Sequence, residues 1–318
     1  MPFSVEVQMT SASMRRTIAV AVCTYNRNHE LANLIEALLA NAVHLDKAAA
    51  VGVVVIDDSA DGNARKVAEG FKDRFELGID YRISGQKNIS VARNLAINAA
   101  SEMADWVAMT DDDCEPVIEW LESLLKTQRR TGADAITGLM VRRTPPNSPS
   151  WLTNEPFLEV GIEAAEDGAI VAVAATHNSM ISSRWLKENP TIRFKPELGV
   201  IGGEDMVFYR AARAAGLRIC YSQRAIVYEN EPQSRMTLKY QLRSFFWHGN
   251  SSYITNVRSG VSPGRMFLHS ANLLRQAFMR PVVRIMHGQP PQLRYFLASV
   301  LRAIGMMIGV LGVRVRHH

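Results

Sequence analysis

Three consecutive carboxylates, Asp111, Asp112 and Asp113, are the residues of this chain best suited to chemistry. They follow a short apolar run from 106 to 109, which predicts a buried strand, and Pro116 ends its pairing. Adjacent carboxylates repel one another, so a turn with no other role would rarely contain three of them. At the carboxyl end of a strand, their oxygens suit a divalent cation. A solvated acidic turn is the alternative interpretation.

Polar residues also follow two longer apolar runs, from 17 to 23 and from 51 to 56. The second run is uniformly apolar, which is typical of a central parallel strand. Ligands bind at the carboxyl ends of such strands, so the residues after each run are candidates. They are Thr24, Tyr25, Asn26 and Arg27 after the first run, and Asp57 and Asp58 after the second. The acids could accept hydrogen bonds from a nucleotide base or ribose, whereas helix capping by Ser59 or Asp61 and an ordinary loop are the alternatives.

Two basic residues accompany a helix that the sequence predicts between residues 86 and 100. Lys87 precedes this helix and Arg93 lies within it, while Asn88 or Ser90 could cap its start. Each cation could neutralise a phosphate, and a solvated surface charge is the alternative.

A second motif places Gly202 and Gly203 before Glu204 and Asp205, at the start of a predicted helix that ends at Gly216. The helix dipole favours acids in a first helical turn, and this alone could explain the two carboxylates. The two glycines indicate an additional role in substrate binding, because they permit a substrate to approach the backbone closely.

Three further residues are candidates for contact with a substrate. Trp151 lies in a segment from 142 to 156 that contains four prolines, which predicts a mobile loop over the site. Its indole could stack on a sugar ring or pack within the protein. His177 and Asn178 follow an apolar run from 169 to 175, which predicts another strand. A structural role is the alternative for the lone histidine.

Alternating strands and helices predict an α/β fold. Further strands are predicted over residues 79–83, 134–141 and 217–222, and further helices over 29–42 and 117–132, the second closed by Gly132. Neither GxGxxG nor GxxxxGK[ST] follows a strand, which disfavours dinucleotide-binding and P-loop proteins.

The composition is that of a folded protein, because 47% of the 318 residues are hydrophobic and 21% are charged. The three cysteines, Cys23, Cys114 and Cys220, lack metal-ligand spacing, and their scarcity fits a reducing cytosol. Residues 1–16 lack the apolar core of a secretory signal.

Charge is distributed unevenly along the chain. Residues 232–318 contain one Lys, eleven Arg and no Asp or Glu, a net charge of +12, whereas residues 1–231 carry −7. We therefore predict a boundary between an α/β domain at 1–231 and a basic, largely helical extension at 232–318. The many apolar residues of the extension favour an anionic membrane surface, and not nucleic acid, as its partner.

The extension is predicted to contain a basic helix ending at Gly249, a proline-interrupted amphipathic segment and an apolar segment from 296 to 313. Arg302 interrupts the last segment and leaves an uninterrupted run of 11 residues. Spanning a bilayer takes ~20 apolar residues, so we expect this segment to lie on a membrane and not to cross it. A helix buried in the core is the alternative.

The order of the motifs resembles that of glycosyltransferase family 2. The matching segments are TYNR at 24–27, IDDS at 56–59, KN and ARN between 87 and 94, DDD at 111–113 and GGED at 202–205. The resemblance covers residues 17–228 and continues more loosely through FFWHG, which contains Trp247 and His248. It implies an inverting enzyme that uses a nucleotide-sugar. It also implies a GT-A fold, which is a Rossmann-like mixed sheet flanked by helices.

The resemblance also implies roles for the matched residues. Asp58, with Asp57 and the loop at 24–27, would hold the uracil and ribose of a UDP-sugar, with Arg93 beside them. Asp111 would lie near the ribose, and Asp113 would bind a Mg²⁺ or Mn²⁺ that bridges the diphosphate. Asp205 would be the general base that deprotonates the acceptor hydroxyl. Lys87 and Asp112 complete the donor-binding candidates, and the acceptor candidates are Trp151, His177, Asn178, Glu204, Trp247 and His248.

The implied function is transfer of a single sugar to a lipid-linked or saccharide acceptor in bacterial surface polysaccharide biosynthesis. The expected location is the cytoplasm, peripherally on the inner face of the membrane. Processive relatives carry QxxRW, but the nearest segment here, QLRSF, has Ser244 and Phe245 at its key places. A phosphatase of haloacid-dehalogenase type is one alternative, although its nucleophilic Asp would have to follow the first strand. A membrane or nucleic-acid adaptor is another, and the acids at three strand ends disfavour it.

Overall fold

Eight strands form one mixed sheet in the computed structural model, which describes residues 15–158 and 165–315. They are β1 (Arg16–Thr24), β2 (Ala49–Asp57), β3 (Ile79–Ile83), β4 (Trp106–Met109), β5 (Cys114–Pro116), β6 (Ala135–Arg143), β7 (Ser179–Ser182) and β8 (Ile219–Asn230). Their order across the sheet is β3-β2-β1-β4-β7-β6-β8-β5. The four strands from β3 to β4 in this order are parallel, and so are β6 and β8. β7 is antiparallel to both of its neighbours, and β5 is antiparallel to β8.

Helices cover both faces of the sheet. They are α1 (Asn28–Leu45), α2 (Arg65–Gly70), α3 (Ile89–Met103), α4 (Trp120–Thr131), α5 (Trp151–Asn154), α6 (Ser183–Glu188), α7 (Glu204–Ala214), α8 (Leu238–Arg258), α9 (Pro263–Met286) and α10 (Leu293–Val310). Alternate residues of β1 enter two different apolar clusters, because successive side chains of a strand point to opposite faces. One cluster contains residues of α1 and α4, and the other contains residues of α3 and α7. The predicted α/β class, with a mixed sheet flanked by helices and a helical C-terminal region, is confirmed.

Several predicted elements form where the sequence placed them. All nine residues of β2 are buried, as expected for a central strand. The side chain of Asn88 accepts hydrogen bonds from the backbone N–H groups of Ser90 and Val91, and so caps α3. Gly132 adopts a left-handed conformation with φ of 63° just after α4.

The strand predicted over residues 169–175 is wrong. Within this run, Ile170 forms an isolated bridge with Cys220, and its side chain is 65% exposed. The strand of this region is β7, which begins at Ser179 and lies between β4 and β6. Its neighbours bury β7, and this tertiary environment outweighs the stronger strand propensity of the apolar run.

The proline-rich segment from 142 to 156 also differs from the prediction of an irregular loop. It contains the short helix α5, and Leu152 of that helix is fully buried. Leu152 and Phe157 pack with Met236 and Ala298 from the C-terminal region. The prolines precede the helix or follow it, so they do not interrupt its hydrogen bonds.

The first helix of the C-terminal region does not end at Gly249, because α8 continues to Arg258. At Gly249 the backbone of α10 approaches so closely that a Cβ would lie 1.9 Å from the carbonyl oxygen of Arg302. Gly305 meets the carbonyl oxygen of Phe246 in the same way, at 2.0 Å. The glycine that the sequence indicated as a terminator is therefore a helix-packing residue.

Among the described residues, one helix is long and apolar enough to cross a membrane by length and composition, and it is α10. One side of this helix packs against the protein, where Ala298, Ala303 and Met306 are buried. Leu293 and Leu297 remain exposed on it. The alternative prediction, a helix buried against the rest of the protein, therefore holds for one face of α10.

Candidate active site

The carboxyl ends of three adjacent parallel strands form the floor of the site. Thr24 at the end of β1 pairs in register with Asp57 at the end of β2, and Met109 ends β4 on the other side of β1. The backbone N–H of Asp58 donates to the carbonyl oxygen of Thr24 at 2.8 Å. The loops that carry TYNR, IDDS and DDD consequently lie side by side.

Asp112 connects the DDD loop at 111–113 to the end of β1. Its Oδ2 accepts a hydrogen bond from Thr24 Oγ1 at 2.8 Å, and its Oδ1 accepts one from Arg27 Nη1 at 2.8 Å. The same Nη1 also donates to Asp113 Oδ2 at 2.8 Å. Burial raises the pKa of Asp112 to about 6, although Arg27 opposes the shift. Arg27 is thus a counter-ion to two of the three acids.

Asp113 lies beside a cluster of charged residues that the sequence analysis did not identify. Asn230 at the end of β8 donates its backbone N–H to the carbonyl oxygen of Asp113 at 3.2 Å. Burial and the charge of Asp111 raise the pKa of Asp113, whereas Arg27 and Arg235 lower it.

This cluster consists of Arg142, Glu229, Glu231 and Arg235, in which each arginine lies within 3.5 Å of both glutamates. Burial raises the pKa of Glu229 to about 7, and nearby Arg142 opposes the shift. The alternation of tyrosine, acid and amide residues at the end of β8 was the available signal. It was missed because β8 was predicted to end at 222.

Arg93 links the acid loop to the start of α7. Its guanidinium forms ion pairs with Asp111, at 3.1 Å, and with Glu204. Burial lowers the pKa of Arg93, but the charges of Asp111, Glu204 and Asp205 raise it by more, so the guanidinium stays charged. Burial raises the pKa of Glu204, whose Oε2 is buried without a hydrogen-bond partner among the described residues.

His177 and Asp205 both interact electrostatically with Arg93. Burial lowers the pKa of His177, whereas the charges of Asp111 and Asp205 raise it, which places the imidazole near both acids. Asp205 is partly exposed, and its Oδ1 accepts a hydrogen bond from the N–H of Met206 at 2.7 Å. The structure therefore brings Arg93, Asp111, His177 and the two acids of α7 together.

The two acids of the IDDS loop have different surroundings. Asp57 is fully buried, and its oxygens accept hydrogen bonds from Ser59, Ala64 and Tyr81. These hydrogen bonds lower the pKa of Asp57 although burial acts to raise it. Asp58 uses Oδ1 to accept from Ser84 Oγ at 2.6 Å and from the N–H of Gln86 at 3.1 Å. Asp57 thus holds the loop, and Asp58 is the acid better placed to meet a ligand.

Tyr25, Asn26 and Lys87 form the outer part of the floor. Tyr25 is 40% exposed, and the Lys87 ammonium lies 5.4 Å from its ring centroid. Asn26 has φ of 55° and accepts a hydrogen bond from Asn63 Nδ2 at 2.6 Å. The exposed side chains of Tyr25 and Lys87 are available to a base or a phosphate.

Asn178 does not fit the acceptor role predicted for it. Its side chain is fully buried, and Oδ1 accepts a hydrogen bond from Trp120 Nε1 at 2.8 Å. Its Nδ2 donates to the carbonyl oxygens of Leu139 and Ala225 at 2.9 and 2.8 Å. Asn178 therefore joins three elements inside the fold and cannot contact a substrate.

Trp151 takes part in the aromatic packing of the C-terminal region. Its ring lies 5.0 Å from that of Phe157 in an edge-to-face arrangement, and the Arg294 guanidinium lies 5.8 Å from the indole centroid. This is the packing alternative that the sequence left open.

The two glycines before α7 serve helix packing, not the close approach of a substrate. Gly202 and Gly203 have φ of 91° and 84°, which other residues rarely adopt. A Cβ on Gly202 would lie 2.4 Å from the Trp247 ring, and one on Gly203 would lie 2.2 Å from Thr255 Oγ1. The space predicted for a substrate is thus filled by α8. Trp247 therefore lies against the GGED motif, with the ring of His248 4.6 Å from its own.

Arg93 and Asp111 line a small cleft. Its other lining residues include Cys23, Met109 and Thr176. Burial raises the pKa of the Cys23 thiol to about 12, so the group is not a thiolate nucleophile. Within residues 15–158 and 165–315, no three His, Cys, Asp or Glu side chains converge into a ready metal site. One or two carboxylates of the acid triple could contact a cation here, and the partly exposed carboxylate of Asp205 lies near Arg93.

Comparison with known proteins identifies the family. The family model described as "Glycosyl transferase family 2" matches residues 19–189. The succinoglycan biosynthesis protein ExoM of Rhizobium meliloti is 30% identical over 309 residues, which is 93% of this chain and 94% of the relative. The glucosyl-dolichyl phosphate glucuronosyltransferase of Haloferax volcanii is 24% identical, over 76% of this chain and 77% of the relative. The chain belongs to glycosyltransferase family 2 and is a glycosyltransferase.

Solved structures agree on the fold. Staphylococcus aureus TarS 1-349 in complex with UDP has a TM-score of 0.52 at 15% identity, covering 94% of this chain and 93% of that one. The complex of the same protein with UDP-GlcNAc has a TM-score of 0.52 at 13% identity, over 95% and 93% of the two chains. The GT-A fold is confirmed, and membership of glycosyltransferase family 2 disfavours the phosphatase and adaptor alternatives.

Proposed function

We propose that this enzyme transfers one sugar from a UDP-sugar to a lipid-linked or saccharide acceptor, with inversion, during bacterial surface polysaccharide biosynthesis. The observation that carries the proposal is the convergence of the TYNR, IDDS and DDD loops on one sheet edge, with Asp205 of α7 near Arg93. Family membership gives the reaction class. The relative named for succinoglycan biosynthesis and the neighbour solved with UDP support the pathway and the donor.

The donor nucleotide is assigned to the floor of the site. Tyr25 presents an exposed ring to the uracil, and Asp58 accepts a hydrogen bond from the base or ribose. Lys87 lies next to Tyr25, where its ammonium offsets phosphate charge. Arg27 and Arg93 are engaged with the acids, so their part is to keep those carboxylates ionised and in place.

A Mg²⁺ or Mn²⁺ ion is assigned to Asp113, with Asp111 beside it. The donor set fits, because carboxylate oxygens suit hard cations. Burial and the charge of Asp111 destabilise the ionised form of Asp113, and a bound cation would offset this effect. Magnesium is commonly held by one or two carboxylates together with substrate phosphates, so a three-residue cluster is not required. When bound, the ion offsets the negative charge that the diphosphate gains on leaving.

Asp205 is assigned as the base that takes the acceptor proton. It is partly exposed at the start of α7, whereas neighbouring Glu204 is buried against Arg93. Glu204 thereby positions Arg93 and Asp111 and does not contact the acceptor directly. His177 lies near Asp205 and remains an acceptor candidate with Trp247 and His248.

The cytoplasmic face of the membrane is the proposed location. Residues 232–318 carry a net charge of +12 without any acidic side chain, and anionic lipids attract such a segment. A lipid-linked acceptor would be presented at the same surface.

Thermal unfolding with UDP tests the donor site. UDP with Mn²⁺ should raise the melting temperature, whereas UDP with EDTA should not, because the diphosphate and the acids repel without a cation. Ligand at 100 times its Kd adds about 2.7 kcal/mol, an increase of several degrees. Asp113→Asn should abolish the increase, and Asp73→Asn, at an exposed position, should leave it intact. An equal increase in EDTA would contradict the metal assignment.

A further inference from the structure

Helix α9 carries a large exposed apolar surface. Its apolar side chains that are at least 45% exposed are Phe267, Leu268, Phe278, Met279, Val282, Val283, Ile285 and Met286. Met286 is 79% exposed and Leu268 is 68% exposed. Monomeric proteins rarely expose a contiguous apolar surface of this kind without a binding role.

The exposed side chains share one side of the helix. Positions 268, 279 and 286 are separated by 11 and 7 residues, which returns them to nearly the same direction at 3.6 residues per turn. Phe267, Phe278 and Ile285 form a parallel row with the same spacing. The buried residues of α9 are Met266, Ser270 and Ala277, and they lie on the opposite side. We call the exposed side the α9 face.

The α9 face carries positive charge and no negative charge. Arg275 projects among the apolar residues and donates to Asn272 Oδ1 at 3.1 Å, and Arg265 is exposed at the edge of the face. No Asp or Glu occurs from 232 to 318, so no acid of this region offsets these guanidinium groups. An apolar side with arginines along it is typical of a helix that lies in a lipid interface.

Helix α10, the more apolar of the two, is less available. Its Gly305 and Gly309 lie against α8, where added Cβ atoms would be 2.0 Å from Phe246 O and 2.7 Å from the Tyr253 ring. Insertion of α10 across a bilayer would break this backbone-to-backbone contact. Helix α9 can reach lipid without any such rearrangement.

We propose that the α9 face lies in the interface of an anionic bilayer, with its apolar side chains among the acyl chains and its arginines at the lipid phosphates. This inference rests on the proposed membrane location and names the element responsible. At 1.5 Å per residue the helix is about 36 Å long, enough for a contact with many lipids. Each basic residue near the surface strengthens attraction to anionic lipid, and added salt weakens it.

A second copy of the chain is a poorer occupant. A twofold contact would place the α9 face of one molecule against the same face of the other and bring Arg265 and Arg275 of both copies together. With no acidic residue on either face, these charges would repel.

Vesicle flotation of the full-length protein tests the proposal. We expect binding to vesicles of phosphatidylglycerol and phosphatidylcholine, and much weaker binding to phosphatidylcholine alone. Replacement of Leu268, Met279 and Met286 by Ser should reduce the partition coefficient by about 10- to 100-fold. The matched control replaces Leu293, Leu297 and Ile304, exposed on α10, by Ser and should retain most of the binding. Arg265→Gln with Arg275→Gln should reduce binding to the anionic vesicles alone.

The UDP-dependent thermal shift is measured for every variant, and it should stay at the wild-type value. Unchanged flotation of the α9 variant, or an equal loss in the α10 control, would overturn the assignment of α9. A wild-type dimer in sedimentation that the α9 variant dissociates, without vesicle binding, would make the face an interface between copies. If wild-type protein binds neither vesicle, the proposed location fails, while the thermal shift still reports on the donor site separately.

Discussion

At the residue scale, two arginines hold the acids of the site from opposite sides. Arg27 pairs with Asp112 and Asp113, and Arg93 pairs with Asp111 and Glu204. Removing one partner of the buried Arg93–Glu204 pair leaves an uncompensated charge, which costs about 3–5 kcal/mol, whereas solvent screens the more exposed Arg27. The acids of the triple are therefore preorganised by cations within the protein, and any bound metal ion would have to share them with the two arginines.

The roles of the two acids on α7 can be separated by substitution. Asp205→Asn should keep UDP affinity and melting temperature near the wild-type values, because the amide oxygen can still accept from the N–H of Met206. Turnover should fall by ~10²–10⁴, the usual effect of losing a positioned base. Sugar transfer and UDP binding are measured side by side. Normal transfer by this variant would show that Asp205 merely begins the helix.

At the scale of elements, glycine determines how α8 and α10 cross. Gly249 and Gly305 let the two backbones meet without an intervening side chain. The crossing fixes α8, whose Trp247 and Thr255 in turn lie against the glycines that precede Asp205. The conformation of the GGED motif therefore depends on a helix pair from the C-terminal region.

Adding one methyl group at this crossing tests the dependence. Gly249→Ala should lower the free energy of unfolding by about 1–3 kcal/mol, because both backbones must move apart. Gly70→Ala at the end of α2 is the matched control, since a Cβ there would meet no atom within 4 Å. It should raise stability by about 0.4–1 kcal/mol, because alanine restricts the unfolded chain. Urea unfolding measures both. Equal effects of the two substitutions would mean that α8 and α10 do not approach so closely.

At the scale of the whole molecule, the predicted boundary after Glu231 crosses several contacts. Leu152 and Phe157 pack with residues of the C-terminal region. Ile254 of α8 packs with Leu198, Ile201 and Val207, which surround the GGED motif. Arg210 of α7 donates to Asn256 of α8 at 3.0 Å.

A chain ended after Glu231 should therefore lose more than its membrane contact. We expect it to melt at least ~10 °C below the full chain, or without a cooperative transition, because a cluster of core residues becomes exposed. The UDP-dependent thermal shift should vanish with it. Calorimetry of the two proteins is the measurement, and the α9 serine variant serves as the control that alters this region without removing it. Cooperative unfolding of the fragment with an unchanged thermal shift would support an independent domain at 1–231.

The sequence by itself determined the family, the strands that carry the TYNR, IDDS and DDD loops, and the start of α7. These features depend on local pattern, because an apolar run followed by polar residues indicates a strand end whatever surrounds it. The basic C-terminal region was equally plain from composition.

Only the tertiary structure decided what the individual polar residues and glycines do. Asn178 proved to be a buried residue that links α4, β6 and β8. Gly249 lies where α8 and α10 cross, and Gly202 packs against Trp247. The partners in each case come from distant parts of the chain, so no local pattern could indicate them. The charged cluster at the end of β8 was missed because that strand was predicted to end at 222, and Arg142 and Glu229 meet only when β6 and β8 pair. The sequence shows which side chains follow a strand, but tertiary packing determines which of them remain accessible to a ligand.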